Sequence, residues 1–118
     1  MKKINTLKLN YEFKNVFNRG KYYIGKQIII YILNNKFNKN RLGIALSSKL
    51  CKAYKRNRIK RVIRAVYQEN IKGAKEGHDI VIIWNKKASI SDLSYFIISE
   101  DMNKIFLKSG IKEWKRYL

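Results

Sequence analysis

Lys55-Arg56-Asn57-Arg58-Ile59-Lys60-Arg61-Val62-Ile63-Arg64 reads as the middle of one long helix, and its two faces decide what the rest of the chain must supply. Wound at about 100° per residue, residues 52–68 gather Ile59, Val62, Ile63, Val66 and Tyr67 on one continuous arc, a stripe built for burial. Arg56, Asn57, Lys60, Arg61 and Arg64 fill the opposite side, and Arg58 lies at its border. Such a helix needs an apolar surface to lie on, and the flanking segments read as a sheet.

Upstream, Arg41 to Ser47 alternates: Leu42, Ile44 and Leu46 point toward a core, while Gly43, Ala45 and Ser47 form a face of small residues with room for a close neighbour. Ile28-Ile29-Ile30-Tyr31-Ile32-Leu33 is bulky and β-branched, and the asparagine-rich stretch to Asn40 reads as a hairpin loop. Further upstream, Phe13, Val16 and Phe17 recur at helical spacing, which predicts a helix over 11–18 capped by Asn10 and ended by Gly20. Downstream, the long helix is expected to run from Ala53 to Asn70, before Gly73 and Gly77. Asp79 to Asn85 is a further strand. Ser89 or Ser91 is the expected cap of a last long helix with Leu93, Phe96, Ile97, Met102, Ile105 and Phe106 as apolar positions, Glu100-Asp101 on its solvated side and Gly110 as its stop. Ile111 to Leu118 are expected to add a final helical turn or two. The order α-β-β(-β)-α-β-α, with one strand optional, is an α+β fold: a small central sheet covered by helices.

The chain's 118 residues and 14.1 kDa suit one domain, and no proline, linker or repeat suggests a second. Hydrophobic residues at 46% exclude a disordered basic tail. The single cysteine, Cys51, excludes a disulfide scaffold. The longest apolar run, Ile28 to Leu33, is far short of a membrane span. Met1-Lys2-Lys3 is basic, but no apolar core or small-residue cleavage site follows, so a signal peptide is not expected. What stands out is charge: 27 Lys and Arg against 8 Asp and Glu give +19, which points to nucleic acid, an anionic membrane or an acidic protein. Ile, Lys and Asn make up 18, 20 and 12 residues, a bias expected of an A+T-rich genome that inflates lysine. The 7 arginines run against that bias, and Arg56, Arg58, Arg61 and Arg64 fall within nine residues.

An ordinary solvated helix face mixes signs and gains from pairs four residues apart. Here no acid occurs between Lys52 and Gln68, and Arg56, Lys60 and Arg64 form a like-charge row at that spacing. A rigid row of guanidinium groups matches phosphate oxygens, and release of condensed counterions drives the association. A membrane fits less well, because the apolar stripe is the natural cover for the sheet. A helix-turn-helix needs a partner helix just upstream, where this chain has a strand. RNA is favoured by elimination.

The decapeptide Lys55 to Arg64 also resembles the signature helix of the bacterial ribonuclease P protein subunit, with an Arg-Asn-Arg core followed by Ile-Lys-Arg. Leu9 to Gly20, Leu42-Gly43-Ile44, Ser47, Lys49, Ala53 and the strand Asp79 to Lys86 fall in the matching register, so that the resemblance spans roughly residues 7–108. Cys51 stands where the family usually has Gly, Ser48 where Lys is common, and Asn85 in place of an expected Arg.

The resemblance implies a left-handed β-α-β crossover and an endonuclease that removes the 5′ leader of precursor tRNA. The catalytic RNA would carry the chemistry and hold most of the Mg2+. It implies that Arg56, Asn57, Arg58, Lys60, Arg61 and Arg64 dock on the catalytic RNA. A cleft between the first helix, the sheet and the long helix would hold the single-stranded leader through Phe13, Phe17 and Tyr31, with Lys49 and Lys52 at its edge. Phe13 and Phe17 also suit a core, whereas Tyr31 lies opposite the face that Ile28, Ile30 and Ile32 already supply. The implied partners are one ribonuclease P RNA per protein and precursor tRNA, in the cytoplasm and without a membrane. No catalytic or metal-ligating constellation is visible: His78 reads as a loop residue, Cys51 has no base near it in sequence, and the carboxylates are scattered. The alternative is a basic RNA-binding structural protein such as a small ribosomal protein.

Overall fold

A computed structural model of the protein describes residues 4–113. The chain forms α1 (Asn10–Arg19), β1 (Lys21–Ile24), β2 (Ile28–Asn34), β3 (Arg41–Ile44), α2 (Ala53–Asn70), β4 (His78–Trp84), a 3-10 turn (Ile90–Asp92) and α3 (Tyr95–Ser109). The four strands make one sheet in the order β1-β2-β4-β3. β2 runs antiparallel to both β1 and β4, whereas β3 and β4 are parallel and joined through α2, a β-α-β unit. The optional strand of the sequence pattern is thus Lys21–Ile24, a largely exposed edge of only four residues.

Strand parity divides the sheet between two layers. Ile28, Ile30 and Ile32 of β2, Leu42 of β3 and Ile80, Ile82 and Trp84 of β4 point to one side. There they meet Ile59, Ile63, Val66 and Tyr67 of α2 and Ile98, Met102, Ile105 and Phe106 of α3, all buried. The Tyr67 and Phe106 rings close the seam between the helices edge to face, 6.5 Å apart. The expected stripe of α2 is therefore its core face, with Val62 half-buried at the margin. On the other side of the sheet, Val81 with Tyr31, Leu33, Ala45 and Ile83 receives α1 through Val16 and Phe13, together with Leu7.

Several local expectations are corrected. Asn10 does not cap α1. It is the first helical residue, and the Glu12 carboxylate instead accepts the backbone N–H groups of Lys8 and Leu9, each at 2.9 Å. β3 ends at Ile44 rather than Ser47: Ala45 N makes a last bond to Ile82 O at 3.0 Å, and the pairing with β4 goes no further. Neither Ser89 nor Ser91 caps α3: their hydroxyls bond each other at 2.8 Å, and Ser94 caps the helix by accepting from Ile97 N. Phe96 is not a core position, being 70% exposed as the second residue of α3.

Asp101 is not on a solvated face. It is 5% exposed, and its carboxylate accepts the backbone N–H groups of Lys26, Gln27 and Ile28 at 2.9, 2.8 and 3.2 Å. The β1–β2 turn is thereby tied to α3, which explains why a charge sits inside. Gly110 ends α3 as expected, in the left-handed region at φ 85°. The last helical turn expected at Ile111 to Leu118 falls largely outside the described residues; Ile111 itself is buried.

Candidate RNA interface

α1 crosses β2 and β4 and leaves part of that sheet face uncovered. The helix can lie close because the small-residue face of β3 leaves space: a Cβ on Gly43 would fall 2.5 Å from Cε1 of Phe13. Val16 is fully buried beneath the helix. Phe17, one turn after Phe13, reaches the helix margin, where it is 37% exposed and stands edge to face with Tyr31 at 4.9 Å.

A groove of about 550 Å3 opens beside α1. Asn10, Phe13 and Phe17 form one wall, and Ala45 and Ile83 belong to the sheet face beneath. Leu46, Ser47 and Leu50 of the β3–α2 connection line it too, as do Lys60 of α2 and Lys86 just past β4. Phe13 and Phe17 thus have both characters that the sequence left open. Each packs against the sheet layer and each lines the groove. Tyr31 joins this surface through its contact with Phe17. Lys49 and Lys52 are exposed on the β3–α2 connection, outside the groove lining but on the same segment as Ser47 and Leu50.

The six polar positions of α2 divide in a way the helical wheel does not show. Asn57, Arg58, Arg61 and Arg64 are exposed. Lys60 is half-buried and turns into the groove. Arg56 is half-buried as well: one terminal nitrogen donates to the backbone carbonyls of Ser48 and Cys51. Arg56 therefore anchors the connection bearing Lys49 and Lys52 to the start of α2. A wheel assigns direction around an axis but says nothing of a loop folded back against it.

Sequence reading also missed Ile83 and Lys86. Ile83 shares its strand parity with Val81, and Lys86 follows the strand end, so both were within reach of a parity argument once the covered face was known. Asn85, in place of the arginine expected there, is buried; its amide donates to Gly25 O at 2.8 Å and accepts from Lys87 N at 3.1 Å.

Glu12, Asp79 and Asp101 are each engaged by partners within the fold. Arg41 donates from Nε and a terminal nitrogen to the two Asp79 carboxylate oxygens at 2.8 and 2.7 Å, and from its other terminal nitrogen to Glu12 at 2.8 Å. That fork ties α1 to β3 and β4. The Leu9 and Lys8 N–H groups, with Arg41 beside them, hold the Glu12 carboxyl below its ordinary range. Asp101 is turned to the backbone of the β1–β2 turn. Among the described residues no three Asp, Glu, His or Cys side chains converge as metal ligands. His78 opens β4 with Nδ1 near Asn40 Oδ1 and Lys75 O, and Cys51 is half-buried. No described helix is long and apolar enough to cross a membrane.

An acid-free helix face next to an aromatic, lysine-edged groove on an α+β sheet defines a small RNA-binding protein. The chain belongs to the ribonuclease P protein family, whose model matches residues 1–110. The ribonuclease P protein component of Fusobacterium nucleatum is 41% identical over 110 residues, covering 92% of this chain and 99% of that protein. That of Clostridium botulinum is 37% identical over 92% of this chain and 97% of its own length. Among solved structures, the Staphylococcus aureus RNase P protein superposes with a TM-score of 0.79 at 27% identity, over 94% of this chain and 100% of that one. The Thermotoga maritima RNase P protein gives 0.78 at 27% identity, over 88% and 96%.

The choice between ribonuclease P and a ribosomal protein is thereby settled for the former. Ribonuclease P is an endoribonuclease of tRNA processing whose catalysis is by the RNA, and this family supplies its protein subunit. The holoenzyme depends in general on Mg2+.

Proposed function

We propose that the chain acts as one RNA-binding domain with two adjoining surfaces, at one protein per ribonuclease P RNA in the cytoplasm. Asn57, Arg58, Arg61 and Arg64 dock on the catalytic RNA, and the groove beside α1 holds the 5′ leader of precursor tRNA. The observation that carries the reading is their adjacency: Lys60 enters the groove from the same helix that presents the exposed arginines outward. Phe13, Phe17 and Tyr31 offer ring faces on which unpaired bases stack without sequence readout, at about 1–3 kcal/mol per base. Lys60 and Lys86, with Lys49 and Lys52 beyond the rim, meet the leader phosphates. Arg56 acts one step back, positioning the connection that carries Lys49 and Lys52.

Binding the leader gives the holoenzyme a hold on precursor that mature tRNA lacks, and docking favours the folded, metal-loaded RNA. In this reading the Mg2+ ions are held mainly by the catalytic RNA.

The test is to add the protein to a bacterial ribonuclease P RNA at low magnesium and follow precursor-tRNA cleavage. Faster cleavage than by the RNA alone, together with tighter binding of precursor than of mature tRNA, is the expected result. No gain with intact RNA would overturn it.

A further inference from the structure

The aromatic surface continues past the groove onto the sheet's edge. Tyr22 of β1 is the direct register partner of Tyr31, and Ile24 that of Ile29, so both side chains share the α1 side of the sheet. The Tyr22 ring lies 5.7 Å from Tyr31, tilted by 38°, while Tyr31 in turn meets Phe17. Phe17, Tyr31 and Tyr22 therefore form one unbroken line of rings from α1 to the outermost strand.

This end of the line is open. Tyr22 is 58% and Ile24 67% exposed, on the edge strand of the sheet. Arg19 and Lys26 are exposed at either end of this strand, whereas Lys21 has the opposite parity, its Nζ 5.8 Å from the Tyr23 ring centroid. From Phe13 to Gln68 the chain carries no Asp or Glu at all. Asp101, which the fold brings beside the β1–β2 turn, is turned inward onto backbone N–H groups. Large apolar side chains rimmed by positive charge and free of carboxylates suit one occupant above others: a single-stranded polyanion that also has flat faces to stack. The surface is continuous with the leader groove through the Phe17–Tyr31 contact, so the occupant is the same RNA strand.

We propose that Tyr22 is a second stacking station for the leader, receiving the base next to the one on Tyr31, with Ile24 beneath the following ribose. This inference rests on the leader reading above and extends the bound strand outward over β1.

The test uses the holoenzyme and precursor tRNAs whose leaders lengthen one nucleotide at a time. Affinities are compared for wild type, Tyr31→Ala, Tyr22→Ala and Tyr22→Phe, with unfolding midpoints as controls. In wild type, affinity rises as the leader reaches each ring. Tyr22→Ala is expected to abolish one late step, at least about fivefold, leaving shorter leaders unaffected, and Tyr22→Phe is expected to keep that step.

A leader series on which Tyr31→Ala loses affinity and Tyr22→Ala matches wild type throughout would overturn the proposal while sparing the leader groove. A wild-type series with no rise at all would overturn the leader reading itself. Tyr22→Ala changing the oligomeric state with every leader affinity intact would assign the edge to a second copy of the chain, and would equally end the proposal.

Discussion

The Phe13 ring packs against Gly43 so closely that a Cβ there would fall 2.5 Å from Cε1 and 2.8 Å from Cζ. One residue on β3 thus sets how near α1 can approach the sheet, and with it the width of the groove whose wall Phe13 forms. Core packing and the candidate site are here the same contact.

Gly43→Ala is therefore expected to do two things. Displacing a packed ring costs about 1–3 kcal/mol of stability, read by urea unfolding. The shift of α1 also weakens the holoenzyme's hold on leader-bearing tRNA while mature tRNA binds as before. Combining Gly43→Ala with Phe13→Leu is expected to recover stability, since the smaller side chain makes room, but not leader affinity, since the ring is gone.

Asp101 gives a contrasting case, a charge important to folding whose carboxylate meets backbone N–H groups rather than any of the proposed RNA-contacting side chains. Asp101→Asn puts an amide donor where three backbone N–H groups already converge. The loss expected is about 1.5–3 kcal/mol, the range for hydrogen bonds to a charged group. Precursor-tRNA affinity per folded molecule is expected to stay within about twofold. A large loss of affinity with normal stability would place Asp101 in the interface instead.

The Glu12 carboxyl sits below its ordinary value of 4.5 in the fold, held there by the Leu9 and Lys8 N–H groups and by Arg41. A depressed folded pKa means that the stabilisation is fully present above the ordinary value and is lost as pH falls through the folded one. Unfolding measured from neutral pH downward is expected to show stability declining below about pH 4.5, and Glu12→Gln is expected to flatten that decline. The same slope in both proteins would show that other carboxylates dominate.

How much of this was legible in the sequence depended on whether the signal was periodic. The stripe of α2, the small-residue face of β3 and the outward parity of Tyr31 are repeats of 3.6 or 2, and each led to the observed packing. Asp101, Arg56 and Phe96 were misplaced, because their environments come from segments distant in sequence or folded back: a turn some seventy-five residues away, a loop curling onto α2, a helix whose start lay past Ser91. Periodicity places a residue on a face. It does not say which loop covers that face.

Arg56 and Arg61 make the most direct test of that distinction, since a helical wheel puts both on the charged side. Arg61 is exposed, so Arg61→Ala is expected to leave the unfolding midpoint unchanged, weaken binding to ribonuclease P RNA, and lower the salt dependence of that binding by about one phosphate contact. Arg56 donates to the carbonyls of Ser48 and Cys51, so Arg56→Ala leaves two loop carbonyls without their partner and frees the segment bearing Lys49 and Lys52. Its expected signature is a loss of stability of about 1–2 kcal/mol. Leader affinity is expected to fall alongside affinity for the catalytic RNA. Salt titrations and urea unfolding on the two variants, run side by side, separate a phosphate contact from an anchor.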